Sequence, residues 1–148
     1  MLLKQVAQGD ERVFLNVKNV EATSITTGMG VSYRVATAGS FDGNQAVRSD
    51  AGNTGDCPAF IGIASQDIAS NAYGLVQVFG FVASVLLSHV GTSITINSGN
   101  ALTPGDAPGG LFSAVPTYLL SGFKYVLCTN PPAAISASGY CSGLIPHI

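Results

Sequence analysis

Apolar and polar residues alternate along several short stretches of the chain. Val13, Leu15 and Val17, for example, alternate with Phe14, Asn16 and Lys18. Residues two apart lie on the same face of a β-strand, so this pattern predicts a half-buried strand with one apolar and one mostly polar face. Glycine or proline interrupts most stretches of helical length. The pattern predicts an all-β protein, a small single-domain barrel or sandwich of about eight short antiparallel strands joined by long polar loops.

The most apolar part of the chain, Tyr73 to Val90, predicts the centre of the core. Both faces of a strand here would be mostly apolar, and the polar residues of the segment are Gln77, Ser84, Ser88 and His89. Gly80 interrupts the stretch and divides it into two strands, with a bulge or a close backbone approach at the glycine. The residues we expect in the core are Val76, Val78, Phe79, Phe81 and Val82.

Two segments are expected to lie outside the packed domain. Residues 1–12 predict an N-terminal arm that carries Leu2, Leu3 and Val6, and residues 13–148 predict one β domain. The segment from Gly39 to Asp56 is rich in Gly, Asp, Asn and Ser, which is typical of an exposed, mobile loop.

The composition limits the classes of function. Charged residues are 9% of the chain, against roughly 25% in ordinary soluble domains, so much of the surface is expected to face something other than water. The net charge of −2 and the lack of a basic run argue against a nucleic-acid partner. The longest apolar stretch is shorter than the roughly twenty residues of a spanning helix, which argues against a membrane partner. No secretory signal is recognisable, so we expect assembly in a cytoplasm.

The candidate chemistry is sparse. Gly139 to Gly143 imitates a nucleophile elbow with Cys141 at its centre, but an elbow needs a helix after it and partners further along, and His147 is the sole candidate base. A turn bounded by glycines is the preferred interpretation. Cys128, Cys141 and His147 lack the spacing of a structural zinc site. We expect no enzyme activity, no cofactor and no metal.

Seven residues are given structural interpretations in place of chemical ones. The three aspartates of the glycine-rich loop lie too far apart for a calcium loop, and the histidine of the apolar stretch is expected to be a core or interface residue. The three cysteines are expected to act as small buried hydrophobes. These residues are Asp42, Asp50, Asp56 and His89, and the cysteines are Cys57, Cys128 and Cys141.

The segment from Phe60 to Val82 resembles small bacteriophage head proteins. It reads as a strand, a glycine, a strand, a polar turn ending in Gly74, and then a valine-rich strand broken by Gly80. Gly99-Asn100-Ala101-Leu102 resembles the Gly-x-x-Leu turn of the same group, the capsid decoration or cement proteins. The resemblance implies a β-rich domain that sits as a trimer on the outside of a phage shell and clamps neighbouring capsid subunits.

The functional expectation is therefore a structural virion protein on the capsid exterior. Its partners would be other copies of itself, as a homotrimer, and the major capsid protein. The expected capsid contacts are Leu2, Leu3, Val6, Phe41 and Arg48. The alternative is a phage tail or fibre component that binds a host-surface receptor through two polar loops, Gly39 to Asp56 and Thr103 to Gly110, where Phe41 is the aromatic residue available for sugar stacking.

Overall fold

The computed structural model describes residues 11–34, 43–49, 59–88, 95–104, 112–114, 126–131 and 138–146. These residues form an all-β domain without a helix among them, which confirms the predicted fold class. The strands are β1 (Val13–Asn19), β2 (Gly30–Tyr33), β3 (Gln45–Arg48), β4 (Phe60–Ala64), β5 (Tyr73–Ser88), β6 (Ala101–Pro104), β7 (Phe112–Ala114), β8 (Val126–Asn130) and β9 (Ser138–Ile145).

The first half of the chain forms a closed five-stranded barrel. Its strands follow in the order β1, β3, β2, β4 and β5, and β5 pairs back with β1. The β1–β3 pairing is parallel and the others are antiparallel. Its interior, which we call the barrel core, consists of Val17, Ile25, Val31, Ala46, Ile61, Ala64, Ile68, Val76 and Val78.

The second half of the chain forms another ring on the same long strand. The order continues from β5 through β7, β6 and β8 to β9, and β9 pairs back with β5. The β5–β7 pairing is parallel. The second core consists of Phe60, Ile63, Val82, Val85, Leu87, Ile96, Leu102, Val126, Cys128, Cys141 and Ile145. Phe60 and Ile63 belong to β4, so this strand of the barrel also contributes side chains to the second core.

Strand β5 passes from one ring to the other at Gly80. Before this glycine the strand pairs with β1 and β4, and from Gly80 onwards it pairs with β9. Gly80 has a φ of +93°, and a Cβ there would overlap the carbonyl oxygen of Glu11. The side-chain amide of Gln77 donates hydrogen bonds to the carbonyls of Phe79 (3.1 Å) and Phe81 (2.9 Å), on either side of the glycine. The expected close approach at Gly80 is thus present, but the two expected strands are one.

The expected core on β5 is partly wrong. Val76, Val78 and Val82 are buried, whereas Phe79 and Phe81 are partly exposed. The two phenylalanines lie on the opposite face of β5 from Val78 and Val82, and they belong to neither core. Two apolar faces in sequence therefore do not mean two buried faces.

The expectation of a mobile loop from Gly39 to Asp56 is wrong for the centre of this segment. Gln45–Arg48 is strand β3, which lies between β1 and β2 and buries Ala46 completely. The next residue, Ser49, is also buried, and its hydroxyl lies 2.7 Å from that of Ser32 on β2. The sequence of this segment is too polar to predict a strand, and it forms one because it pairs with a neighbouring strand on each edge. The rest of Gly39 to Asp56, except Gly43 and Asn44, lies outside the described residues.

We predict that Gly80→Ala destabilises the protein more than Gly99→Ala does. Both glycines have positive φ, +93° and +86°, so alanine is strained at either position. Nothing lies within 4 Å of a Cβ at Gly99, and we expect a loss of about 1–2 kcal/mol there. At Gly80 the overlap with Glu11 adds to this strain. Urea unfolding of both variants measures the difference, and equal losses would contradict the close approach.

Candidate interaction surface

Large apolar side chains are exposed on β1 and on the first half of β5. Val13, Phe14 and Leu15 are 43%, 41% and 38% exposed, and on β5 Tyr73 is 61% and Leu75 41% exposed. We call these five residues the β1–β5 apolar surface. Scattered single hydrophobic residues are normal on a protein surface, whereas a contiguous group marks an interaction site.

The pairing of β1 with β5 brings Phe14, Tyr73 and Leu75 onto one face of the sheet. Asn16 is opposite Leu75 and Phe14 is opposite Gln77, so Phe14 and Leu75 are diagonal neighbours on the outer face of the barrel. Val13 and Leu15 lie on the other face of β1 because successive side chains alternate. The beginning of β1 is therefore apolar on both faces.

The same part of β1 has an edge that no described strand covers. The pairing of β1 with β3 consists of Lys18 and Asn19, and the Lys18 amide donates to the carbonyl of Asn44 (2.8 Å). Alternate residues of a strand direct their backbone groups to the same side, so those of Phe14 and Asn16 point to this edge as well. An apolar edge strand is a template for pairing with another chain.

The expectation that β1 is a half-buried strand is only partly confirmed. Of the predicted apolar face, Val17 is buried, but Val13 and Leu15 are exposed. Val17 lies next to the point where β3 pairs with β1, and the two exposed residues lie beyond the end of that pairing.

Asn19 holds the other end of β1 in place. This side chain is fully buried, and its amide nitrogen donates to the carbonyls of Thr23 (2.8 Å), Ile68 (3.0 Å) and Ala69 (3.3 Å). Its side-chain oxygen accepts a hydrogen bond from the Glu21 amide at 2.9 Å. The side chain thereby fixes the turn after β1 against the segment that leads into β5.

Arg48, one of the expected capsid contacts, is engaged within the barrel. Its Nε lies 2.5 Å from Oε2 of Glu21, and its backbone amide donates to Oε1 of the same carboxylate (3.2 Å). The backbone carbonyl of Glu21 accepts a hydrogen bond from the Ser70 hydroxyl (2.6 Å). Arg48 therefore ties β3 to the turn after β1, about a quarter exposed, and it is not part of the β1–β5 apolar surface.

The other expected contacts, Leu2, Leu3, Val6 and Phe41, lie outside the described residues, as do Cys57, His89 and His147 and the loop aspartates Asp42, Asp50 and Asp56. Among the described residues, no group of three or more His, Cys, Asp or Glu side chains could hold a metal ion. The same part of the chain contains no helix of the length and hydropathy needed to cross a membrane.

Cys141 lies in a setting unlike a nucleophile elbow. The segment Gly139 to Gly143 runs through strand β9, so the expected glycine-bounded turn is wrong. Cys141 and Cys128 are both buried, as expected of small hydrophobes. Burial first, and then the neighbouring Cys128 thiol, raise the pKa of the Cys141 thiol to about 12. The thiol is thus protonated at neutral pH and is a poor nucleophile.

Comparison with known proteins finds no family model that matches the chain and no curated protein with significant sequence similarity to it. The resemblance of Phe60 to Val82 to capsid decoration proteins stays a prediction.

We predict that Asn19→Ala destabilises the protein by about 2–3 kcal/mol, because it removes the hydrogen bonds of a buried side chain and leaves the Thr23 carbonyl and the Glu21 amide without this partner. Asn16→Ala is the matched control on the same strand. Asn16 is exposed, and its loss should be within about 0.5 kcal/mol. Urea unfolding compares the two, and similar losses would contradict the role of Asn19 as the anchor of β1.

A second prediction concerns pH. The carboxylate of Asp67 accepts hydrogen bonds from the Thr27 amide (2.7 Å) and hydroxyl (2.9 Å). The backbone bond first, and then the hydroxyl bond, lower the pKa of Asp67 below its ordinary 3.8. A lowered folded-state pKa stabilises the fold above the unfolded-state pKa, and this stabilisation disappears as the pH falls through the folded-state value.

Asp67→Asn should therefore lower the thermal midpoint at pH 7 and have a smaller effect at about pH 2, where more of the wild-type carboxyl is protonated than at pH 7. Thermal unfolding of both proteins at the two pH values measures this. A difference of the same size at both values would show that the charge on Asp67 does not contribute.

Proposed function

We propose that the protein is a non-enzymatic structural protein of a phage particle, that it associates through the β1–β5 apolar surface, and that it binds the outside of the capsid as a homotrimer. In this role it would bridge neighbouring capsid subunits and stabilise the shell. The exposed apolar beginning of β1 is the observation that carries the proposal.

The chemistry of this surface favours a protein partner. Val13, Phe14, Leu15 and Leu75 offer no charge with which to bind a polar ligand, and Tyr73 contributes a ring with a single hydroxyl. Aromatic and aliphatic anchors of this kind dominate the energetics of protein interfaces. The edge of β1 that no described strand covers adds backbone donors and acceptors, which a strand of another protein could pair.

The partner we assign to this surface is a second copy of the chain. An uncovered apolar edge strand promotes aggregation in the time before any shell is available. A second copy of the chain, made in the same cell, can cover this edge as soon as both have folded. Permanent interfaces of this kind are more apolar than transient ones. A net charge of −2 puts little electrostatic repulsion between copies.

The oligomer would stabilise a shell by mass action. Binding to assembled capsid subunits, and not to separated ones, shifts the equilibrium towards the assembled state. Three linked copies would raise the avidity of individually modest contacts, provided that their spacing matches the capsid lattice. No step of this mechanism needs a reactive side chain.

We predict that Phe14→Ser and Leu75→Ser each weaken self-association by roughly tenfold or more, since each removes an apolar anchor. Leu144→Ser is the matched control, because Leu144 on β9 is 39% exposed, close to the 41% of Leu75, and lies outside the surface. Light scattering over a concentration series measures the molar mass. Wild-type and Leu144→Ser proteins should remain trimers at concentrations where the other two dissociate.

A wild-type protein that is monomeric at micromolar concentration would contradict the assigned partner. The capsid role is tested on the same samples by co-sedimentation with assembled phage heads, in which the trimer should pellet with the heads. A stable trimer that stays in the supernatant would overturn the capsid role and leave the self-association surface intact.

A further inference from the structure

Two thiols are buried side by side in the second core. Cys128 on β8 is 1% exposed and Cys141 on β9 is 4% exposed. Both residues belong to the second core, and both strands belong to the ring that β5 shares with the barrel. Neither thiol takes part in the proposed function.

The strand register explains why the two thiols meet. Cys128 is paired with Gly143, and Cys141 lies two residues before Gly143 on β9, so all three face the second core. Cys128 and Cys141 are therefore diagonal neighbours across the two strands. The pairing is irregular between Cys128 and Asn130, where β8 contains one extra residue, and such a bulge bends the strand and increases its twist.

Backbone hydrogen bonds hold Cys128 from its other side. Its amide donates to the carbonyl of Asn100 (2.9 Å), and its carbonyl accepts from the amide of Gly99 (2.7 Å). Beyond the pair, the Thr129 and Ser142 hydroxyls also bond across the two strands, at 3.0 Å. The backbone therefore positions the two thiols before any bond forms between them.

We propose that Cys128 and Cys141 are a redox modification site, at which a low-molecular-weight disulfide such as oxidised glutathione converts the two thiols into an intramolecular disulfide. The thiolate of one cysteine attacks the oxidant, forms a mixed disulfide and releases one glutathione thiol. The thiolate of the other then attacks the protein sulfur and releases the second. Two S–H bonds are lost, one S–S bond forms, and the oxidant takes up two electrons and two protons.

Burial makes this exchange slow in the closed fold. With the pKa of Cys141 raised to about 12, its thiolate fraction at pH 7 is about one in 100,000, and a buried sulfur is also shielded from the oxidant. Exchange therefore requires β8 and β9 to separate. Once β8 and β9 pair again, the same burial protects the disulfide from reduction.

The test compares disulfide formation in the folded and unfolded protein. Cys57→Ser removes the third thiol and leaves the core unchanged in sequence, so an intramolecular disulfide in this variant joins Cys128 to Cys141. The variant is equilibrated in glutathione redox buffers, without denaturant and in strong guanidinium, starting from both the reduced and the oxidised protein. Alkylation of the remaining thiols followed by intact mass gives the equilibrium constant, and peptide mapping confirms the linkage.

A disulfide that fits the fold forms more favourably in the folded protein, and we expect the equilibrium constant to be about tenfold or more above that in guanidinium. The oxidised protein should also have a higher thermal midpoint than the reduced one. An equal or smaller constant in the folded protein would overturn the proposal, and so would products that are mainly mixed disulfides with glutathione. The measurement uses intact core cysteines, so it does not depend on whether core substitutions fold.

Discussion

The architecture depends on one strand serving two rings of strands. Tyr73–Ser88 is long enough to close the barrel with its first half and the second ring with its second half. A side chain at the changeover would overlap the backbone of Glu11, so the position is restricted to Gly80. Gln77 bridges the carbonyls on either side of this glycine with its amide. An amide that was expected to interrupt an apolar face instead satisfies the backbone at the junction, where a buried carbonyl without a partner would be costly.

The fold class could be predicted from the sequence because it depends on short-range patterns. Period-two alternation, frequent glycines and the apolar stretch at β5 are visible without any knowledge of pairing. The connectivity could not be predicted in this way. Ala46 is fully buried because its strand is paired on both edges, and the sequence around it is typical of a loop. For Phe79 and Phe81 the error is the opposite one, because they were expected to be buried and are partly exposed. Hydrophobicity does not tell which face of a strand a neighbouring element covers.

Part of the candidate surface could be recognised in the sequence, but its β1 residues were expected to form the buried face of a strand. Val13 and Leu15 were recognised as strand residues, but their exposure depends on where the β3 pairing ends, which is a long-range property. Arg48 was singled out as a capsid contact; Glu21 engages its side chain at 2.5 Å, and the capsid contact stays a prediction. Asn19 was missed because asparagine at a strand end is usually a turn residue. Only the fold shows that three carbonyls converge on its amide.

Because both rings of strands are closed, the apolar edge at the beginning of β1 differs from the rest of the described sheet. A closed ring removes free edges, which are the part of a sheet most prone to unwanted pairing. In the described part of the chain, the rings use this solution for most of their strands, while Val13 to Asn16 lie beyond the end of the β3 pairing. Charged side chains, the common protection of such an edge, are replaced there by valine, phenylalanine and leucine. Among the described residues, this apolar edge has no strand beside it, and that supports the proposal that a partner covers it.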